Sequence, residues 1–324
     1  MKALLCTRYG KPDDLELADI SEPQAGPGEA VVKIHAAALN FFDTLIIAGK
    51  YQFKPEPPFS PAAEFAGTIE SLGTGVTSFK TGDRVLGYMT YGAARERVAL
   101  STNKLVKIPD SLDFDRAAGI CITYGTTFHA LKDRAALKKG ESLAVLGAAG
   151  GVGLAAVELG KIMGARVIAC ASSDNKLAFA RKHGSDVGIN YSSDDLKDAL
   201  RRVTDGKGVD VIYDSVGKTT FAKGLDCLRP RGMMVVYGQA SGPITAVDTG
   251  LLSTKGCLYL TRVNLGTYTA TRQELEERSG DIFTWVASGQ LKVHIWGEYP
   301  LAEAAKAQAA LEQRETMGKV LLVP

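Results

Sequence analysis

The segment Ser142-Leu-Ala-Val-Leu-Gly-Ala-Ala-Gly-Gly-Val-Gly153 restricts the fold more than any other part of the chain. A short apolar run ends at Gly147 and enters a glycine-rich turn. From Val152 apolar residues recur at helical spacing, at Val152, Ala155, Ala156, Leu159, Ile162 and Met163. Arg166-Val-Ile-Ala-Cys170 then reads as a second buried strand. Strand, glycine turn, helix and strand open a dinucleotide-binding unit, because the turn leaves backbone N–H groups free at a helix N-terminus, where a pyrophosphate can bind. In the G-x-G-x-x-G frame the positions are Ala148, Gly150 and Gly153, so an alanine stands first. Glycine turns also join strands to helices for geometric reasons alone. The strands on either side of this turn and helix are what favour a nucleotide. Ala149, Gly150, Gly151, Val152 and Gly153 are therefore the candidate pyrophosphate contacts.

Downstream the same grammar repeats. Helical stretches over 174–183, 194–203 and 219–228 alternate with strand-like runs over 186–190, 209–213 and 232–237. Gly256-Cys-Leu-Tyr-Leu-Thr261 supplies a candidate sixth strand. This alternation predicts an α/β, doubly wound parallel sheet with helices on both faces. Upstream the pattern changes. Strand-like runs such as Lys2–Thr7, Glu29–Ala38 and Glu64–Leu72 are separated by turns such as Pro23-Gln-Ala-Gly-Pro-Gly28 and Pro55-Glu-Pro-Pro-Phe-Ser-Pro61, which predicts a small β domain. Short helices are predicted over 41–48 and 126–137. After Arg262, a helix over 272–288, a strand-like run over 293–296, a helix over 302–312 and a strand over 320–323 read as the chain returning to complete the first domain. At 324 residues the chain is long for one core. It divides into 1–122 with 263–324, mainly β, and 123–262, the nucleotide-binding part.

Charge and cysteine usage narrow the partners. With 38 basic and 36 acidic residues, the net +2 gives no reason to expect nucleic acid or an anionic membrane. No run reaches the ~18–20 apolar residues of a membrane span, and the opening Met-Lys-Ala-Leu-Leu-Cys is too short an apolar run for a signal peptide. A cytoplasmic protein is expected. The five cysteines are far apart, form no C-x-x-C pair and read as buried free thiols. The four histidines show no metal-site spacing.

Several further segments share a pattern with one family. Ala38-Leu-Asn-Phe-Phe-Asp-Thr44, Glu64-Phe-Ala-Gly67, Gly82-Asp-Arg-Val85, Gly147-Ala-Ala-Gly-Gly-Val-Gly153, Tyr213-Asp-Ser-Val-Gly217, Cys227-Leu-Arg-Pro-Arg-Gly232, Gly256-Cys-Leu-Tyr-Leu-Thr-Arg262 and the Gly318-Lys-Val-Leu-Leu tail lie along nearly the whole chain. Together they resemble the zinc-independent quinone oxidoreductases of the medium-chain dehydrogenase/reductase superfamily. The resemblance implies a GroES-like catalytic domain completed by C-terminal residues, a Rossmann domain, a substrate cleft between them and a homodimer. Zinc-dependent relatives carry a cysteine before the helix near residue 40 and a histidine before the glutamate of a G-H-E motif. Here those places hold Asn40 and Ala63, and no cysteine lies between Cys6 and Cys121 for a structural zinc lobe. No metal is expected.

The cofactor follows from the end of the second Rossmann strand. An NAD enzyme usually places an acid there for the ribose 2′-hydroxyl. This chain reads Ala171-Ser-Ser173, then Lys176. Small hydroxyls leave room for a 2′-phosphate and the lysine supplies charge, which favours NADPH with Ser172, Ser173 and Lys176 as contacts. Lys176 also reads as a solvated helix face, and Asp174 as the N-cap of the helix over 174–183. The resemblance adds Tyr191 and Arg314 around that phosphate. Ser215, Tyr237 and Gln239 fall at strand carboxyl ends, where ligands collect in open parallel sheets. Arg262 follows an apolar run and would be costly to bury unpaired, so it is read as a cofactor contact or a structural ion pair.

The resemblance places Asn40 and Thr126 at the nicotinamide and Tyr51 at the substrate opening. Asn40 also suits an N-cap for the helix starting at Phe41, and Tyr51 a core aromatic. Leu45 stands where relatives often have an aromatic residue. Arg95 and Arg97 replace the aromatic and small residues of a Gly-Ala-Tyr-Ala-Glu-Tyr pattern, as a solvated strand edge or as contacts for an anionic substrate. Nothing resembles an activated nucleophile, so catalysis is expected from positioning. The expected activity is reduction of a quinone by NADPH. The alternatives are an NADPH-dependent reductase of α,β-unsaturated carbonyl or enoyl compounds, and a non-catalytic NADPH-binding protein of the crystallin-like or RNA-binding kind.

Overall fold

The computed structural model describes residues 1–324. The chain forms two compact units, Met1–Thr123 with Tyr268–Pro324, and Tyr124–Thr267.

The first unit carries strands β1 (Lys2–Cys6), β2 (Leu15–Asp19), β3 (Glu29–Leu39), β4 (Glu64–Leu72), β5 (Arg84–Tyr88), β6 (Arg97–Ser101) and β7 (Leu105–Lys107). The second carries β8 (Ser142–Leu146), β9 (Arg166–Ala171), β10 (Val187–Asn190), β11 (Val209–Asp214), β12 (Leu228–Val236) and β13 (Tyr259–Arg262). The first unit ends with β14 (Ile295–Pro300) and β15 (Lys319–Val323).

In the first unit the seven-stranded sheet runs β14-β15-β3-β4-β5-β7, and β6 pairs with β3. Alternate residues of β3 and β4, among them Val32, Ile34, Phe65 and Ile69, join Val320 and Leu322 in one buried core. Full burial of such side chains contributes about 1.5–3 kcal/mol each. The C-terminal strand β15 pairs antiparallel with β3, setting Val320 opposite Leu39, while β3 sets Ala38 opposite Glu64. Register alone therefore carries Lys319, Asn40 and Glu64 to the same end of the sheet.

The second unit is a six-stranded parallel sheet of order β10-β9-β8-β11-β12-β13. Its strand order changes direction between β8 and β11, which is where open sheets of this kind bind ligands. Leu143, Ala144, Val145 and Leu146 are fully buried, as a strand covered on both faces requires. The amino ends of the central strands are tied by Asp210, whose carboxylate accepts from the Ser142 hydroxyl at 2.6 Å and from Arg229 Nε at 2.5 Å. The Rossmann sheet and the GroES-like β unit are the predicted fold.

Some boundaries differ. The helix expected over 126–137 is a mixture, with an α-helical turn at Gly125–Phe128 flanked by wider π turns at Ile120–Tyr124 and His129–Arg134. In the first of these the Thr123 hydroxyl donates to the Gly119 carbonyl, a side-chain bond that competes with regular helix pairing. The last Rossmann strand begins at Tyr259, because Gly256 and Cys257 turn the chain with φ of 113° and 53°. Cys257 is also the exposed exception among the five free cysteines.

Candidate active site

The glycine turn accounts for its own departure from the G-x-G-x-x-G frame. The positive φ of the tight turn falls on Gly147, at 75°, one residue before Ala148. Both Gly147 and Ala148 donate backbone N–H groups to the Cys170 carbonyl, at 3.0 and 3.1 Å, which pins the turn to the end of β9. A Cβ on Gly153 would lie 2.1 Å from the Gly147 carbonyl oxygen, so that glycine permits helix and turn to touch. A Cβ on Gly150 would meet nothing closer than 3.7 Å. Its smallness is not needed by the fold and is available to a ligand. The helix Gly151–Ile162 has Gly150 as its N-cap, with no side chain to satisfy the first-turn N–H groups. The Gly150 N–H donates to the Gly147 carbonyl at 3.2 Å, and beyond it the first turn from Gly151 presents the positive end of a helix dipole to an anion.

The ends of β11 and β12 close on this turn. The Ser215 hydroxyl donates to the Leu146 carbonyl at 2.9 Å, and a Cβ on Gly147 would lie 2.6 Å from that hydroxyl oxygen. Tyr237 stacks on Tyr213 with ring centroids 4.0 Å apart. A Cβ on Gly217 would lie 2.9 Å from the Gln239 Cα, so these two loops are in close contact. The loop after β11 is shaped by the buried Asp214, which accepts from the N–H groups of Val216 and Gly217 and from the Thr220 hydroxyl. Burial raises its carboxyl above the ordinary range against those bonds.

Ser172, Ser173, Lys176 and Tyr191 come together at the ends of β9 and β10. The Tyr191 N–H donates to the Ala171 carbonyl at 3.1 Å, and the Ser192 hydroxyl to the Ser172 carbonyl at 3.0 Å. The cap of the following helix is Ser173, whose hydroxyl accepts from the Lys176 N–H at 3.4 Å, and not Asp174. Asp174 is the first helical residue, and its carboxylate accepts from Asn190 Nδ2 at 2.9 Å. That bond holds the acid towards β10 and gives it an occupation of its own. Arg262, expected to be buried, is exposed at the end of β13 and needs no paired charge there. Thr126 is half-buried in the same unit.

In the first unit, Asn40 is the N-cap residue by position, but its side-chain amide bonds elsewhere. Its Nδ2 donates to Glu64 Oε1 at 3.0 Å and its Oδ1 accepts from Lys319 Nζ at 2.9 Å. Lys319 Nζ also donates to Glu64 Oε1 at 2.7 Å and to the Leu39 carbonyl at 3.1 Å, and Glu64 Oε2 accepts from the Ile122 N–H at 2.7 Å. Glu64 and Lys319 are buried, with side chains 0% and 3% exposed. The ammonium has three acceptors, which is what a buried charge requires. The helix start is held instead by Asp43, whose Oδ2 accepts from the Asn40 N–H at 2.7 Å. Burial raises the Asp43 carboxyl to about 7, despite that bond and the nearby Lys319.

Tyr51 stacks on Phe42 at 5.6 Å, and both pack with Tyr91 on a small core of Cys6, Ile46, Ile47 and Phe59. Arg97 is occupied, 2.7 Å from Glu70 and 3.5 Å from Glu22, which makes it part of a surface ion-pair network. Arg95 differs, being half-buried with a buried Nε that has no hydrogen-bond partner. Arg314 follows the helix Ala304–Glu312 in a left-handed conformation at φ 59°, in the first unit, whereas Lys176 and Tyr191 belong to the second.

Glu64, Lys319 and Asp43 are the polar residues that motif reading passed over. The signal was present: Glu64 and Lys319 are single opposite charges within the apolar runs Pro61-Ala-Ala-Glu-Phe-Ala and Lys319-Val-Leu-Leu-Val. No three His, Cys, Asp or Glu side chains converge in a group that could hold a metal ion.

Two family descriptions match the chain, zinc-binding dehydrogenase over residues 151–281 and alcohol dehydrogenase GroES-like domain over 26–110. The chain is 40% identical to a quinone oxidoreductase of Pseudomonas aeruginosa, across 100% of this chain and 99% of that protein. It is 37% identical to a 2-haloacrylate reductase of Burkholderia sp, across 99% and 98%. The crystal structure of Escherichia coli quinone oxidoreductase complexed with NADPH superposes with a TM-score of 0.95 and 36% identity, covering 100% of both chains. On its glycine turn, its two units and these full-length likenesses, the chain belongs to the quinone oxidoreductase family of the medium-chain dehydrogenases/reductases.

Proposed function

We propose that the protein is an NADPH:quinone oxidoreductase that works without zinc. The observation that carries the reading is the end of β9. There Ser172, Ser173, Tyr191 and Lys176 lie together at the ends of β9 and β10, and Asp174 is engaged by Asn190, which supports a site for a 2′-phosphate over one for a free 2′-hydroxyl. Bound NADPH supplies a hydride, which with a proton from water reduces a quinone to its hydroquinone. The chain's own part is to bind, orient and shield. Ala149 to Gly153 hold the pyrophosphate, with Ser215, Tyr237, Gln239 and Arg262 along the cofactor and Lys176 at the 2′-phosphate; Arg314 is the further phosphate contact that the family resemblance implies. Asn40 and Thr126 position the nicotinamide, and Tyr51 with Phe42 offers an aromatic wall to the acceptor.

The donors present do not fit a catalytic zinc. Asn40 spends its amide on Glu64 and Lys319, Ala63 has no donor atom, and a lysine ammonium already neutralises Glu64. No helix is long and apolar enough to cross a membrane, and the five cysteines are unpaired, which suits the cytoplasm. The edge strand β13 exposes Tyr259 at 57% and is the surface on which we place a homodimer. Light scattering that returns a monomer would remove that assignment.

The test is NADPH oxidation with phenanthrenequinone and ortho-naphthoquinone as acceptors, repeated with NADH. Rapid turnover with NADPH and a strong preference over NADH are expected. The 37% identity to a 2-haloacrylate reductase supports a second reading, reduction of α,β-unsaturated acids or carbonyls on the same scaffold. Fast turnover of 2-chloroacrylate or alkenals with negligible quinone reduction decides for it.

A further inference from the structure

An asparagine carboxamide can be turned over with little change of shape, exchanging its donor and acceptor ends. In this protein the two ends are distinguished by their partners. Glu64 Oε1, 3.0 Å from Asn40 Nδ2, only accepts, and Lys319 Nζ, 2.9 Å from Asn40 Oδ1, only donates. Turning the amide over would set an oxygen against a carboxylate and an NH2 against an ammonium, in a site where Asn40 is 7% and Glu64 0% exposed. Buried electrostatic contacts of this kind are strong in either direction.

Glu64 and Lys319 are themselves fixed. Glu64 Oε2 holds the Ile122 N–H and Lys319 holds the Leu39 carbonyl, so neither can follow a rotating amide. The backbone of Asn40 is held separately by Asp43, at 2.7 Å. Of the four hydrogen-bonding positions of the carboxamide, one N–H and one oxygen lone pair remain uncommitted.

We infer that Glu64 and Lys319 are positioning residues, which lock the Asn40 carboxamide in one orientation and leave a single defined N–H for the cofactor–acceptor complex. The inference rests on the reading that Asn40 faces the nicotinamide. Neither charge touches the reactants; both act through Asn40.

A double-mutant cycle separates this role from a structural one. NADPH oxidation by ortho-naphthoquinone is measured for wild type, E64Q, N40A and E64Q/N40A, with kcat, KM and the Kd for NADPH followed separately. E64Q replaces the carboxylate with a neutral amide whose NH2 must oppose either the Lys319 ammonium or the Ile122 N–H, and so weakens the hold on Asn40 Nδ2. E64Q is expected to lower kcat about tenfold in the wild-type background, because misplacement of a positioning group costs rate, with KM and Kd changed by less than about threefold. In the N40A background the same change should alter kcat by less than about twofold. Equal losses in both backgrounds overturn the inference, since they mark a structural effect, and so does an E64Q enzyme with wild-type kcat. If N40A itself leaves kcat and NADPH affinity untouched, the placement of Asn40 at the nicotinamide fails instead.

K319Q provides the same cycle from the other partner should E64Q fail to fold. A measurement on the unaltered protein needs no variant. In 15N-asparagine-labelled protein one Asn40 side-chain proton should be protected from exchange by Glu64, while the other shifts on adding NADPH. Two protons with equal exchange and no shift overturn the inference.

Discussion

The glycine turn contains two small residues, one that the packing requires and one for which we propose a ligand role, and substituting each with alanine separates them. At Gly153 a Cβ would stand 2.1 Å from the Gly147 carbonyl oxygen and 2.8 Å from its carbon, both backbone atoms. Ordinary contact begins at 3.4 Å, so helix and turn would have to separate by about 1.3 Å (3.4 − 2.1). Overpacking of this kind typically costs about 1–3 kcal/mol, against which alanine in a helix returns about 0.5–1 kcal/mol. G153A should therefore lower the melting temperature by several degrees. At Gly150 the nearest atom to a Cβ is 3.7 Å away, and φ −73° with ψ 167° is open to any residue. The loss of a glycine N-cap and the reduced freedom of the unfolded chain are each worth about 0.5–1 kcal/mol with opposite sign. G150A should melt within a degree or two of wild type. Its methyl would still stand where the proposed pyrophosphate site meets the helix end, so on that reading the Kd for NADPH in a fluorescence titration should rise at least tenfold. A G150A protein that binds NADPH like wild type refutes the assignment of this helix end to the pyrophosphate. A G153A protein with unchanged melting refutes the close packing.

Other residues give sharper single readings. K176A should raise the Kd for NADPH roughly 10- to 100-fold, as loss of a charge-assisted bond of about 1.5–3 kcal/mol requires, and leave NADH binding unchanged; equal losses for both cofactors would move Lys176 away from the 2′-phosphate. Asp43, raised by burial from 3.8 to about 7, binds a proton in the folded state that the unfolded chain has lost across that window. Stability should fall as pH rises from about 4 to 7, by at most about 4 kcal/mol from this group, and D43N should flatten the slope in denaturant melts at stepped pH; an identical pH profile for D43N contradicts it. Arg95 has an unpartnered Nε and burial lowers its pKa, so R95M should leave the melting temperature unchanged or raise it. A loss above about 1 kcal/mol would mean the guanidinium has a stabilising contact.

The parts of the fold legible in the sequence are those set by local pattern. Ser142–Leu146 is apolar after its first residue because both of its faces are covered, and the helix that follows is rich in small and apolar residues because it is buried all round from Gly153 to Gly160. The turn between them is readable even with Ala148 in the first glycine position. The conformational demand has moved to Gly147, and a glycine is there to meet it. The segment over 120–134 is less legible, since π turns on either side of a single α-helical turn leave no periodic signature. Asp174 and Arg262 resist local reading for a related reason. Whether an acid caps a helix or bonds sideways to Asn190, and whether an arginine is buried, depends on neighbours distant in sequence.

The Asn40 centre shows most clearly where local reading stops. Asn40, Glu64 and Lys319 are separated by 24 and 255 positions, and only the pairing of β3 with β4 and β15 unites them. What a sequence can offer in such a case is an imbalance. Glu64 and Lys319 each sit in an apolar strand run where an isolated charge would cost several kcal/mol. Two such residues of opposite sign, in strands that must enter one core, already imply each other. The asparagine between them then takes its orientation from chemistry alone, since one neighbour can only accept and the other can only donate.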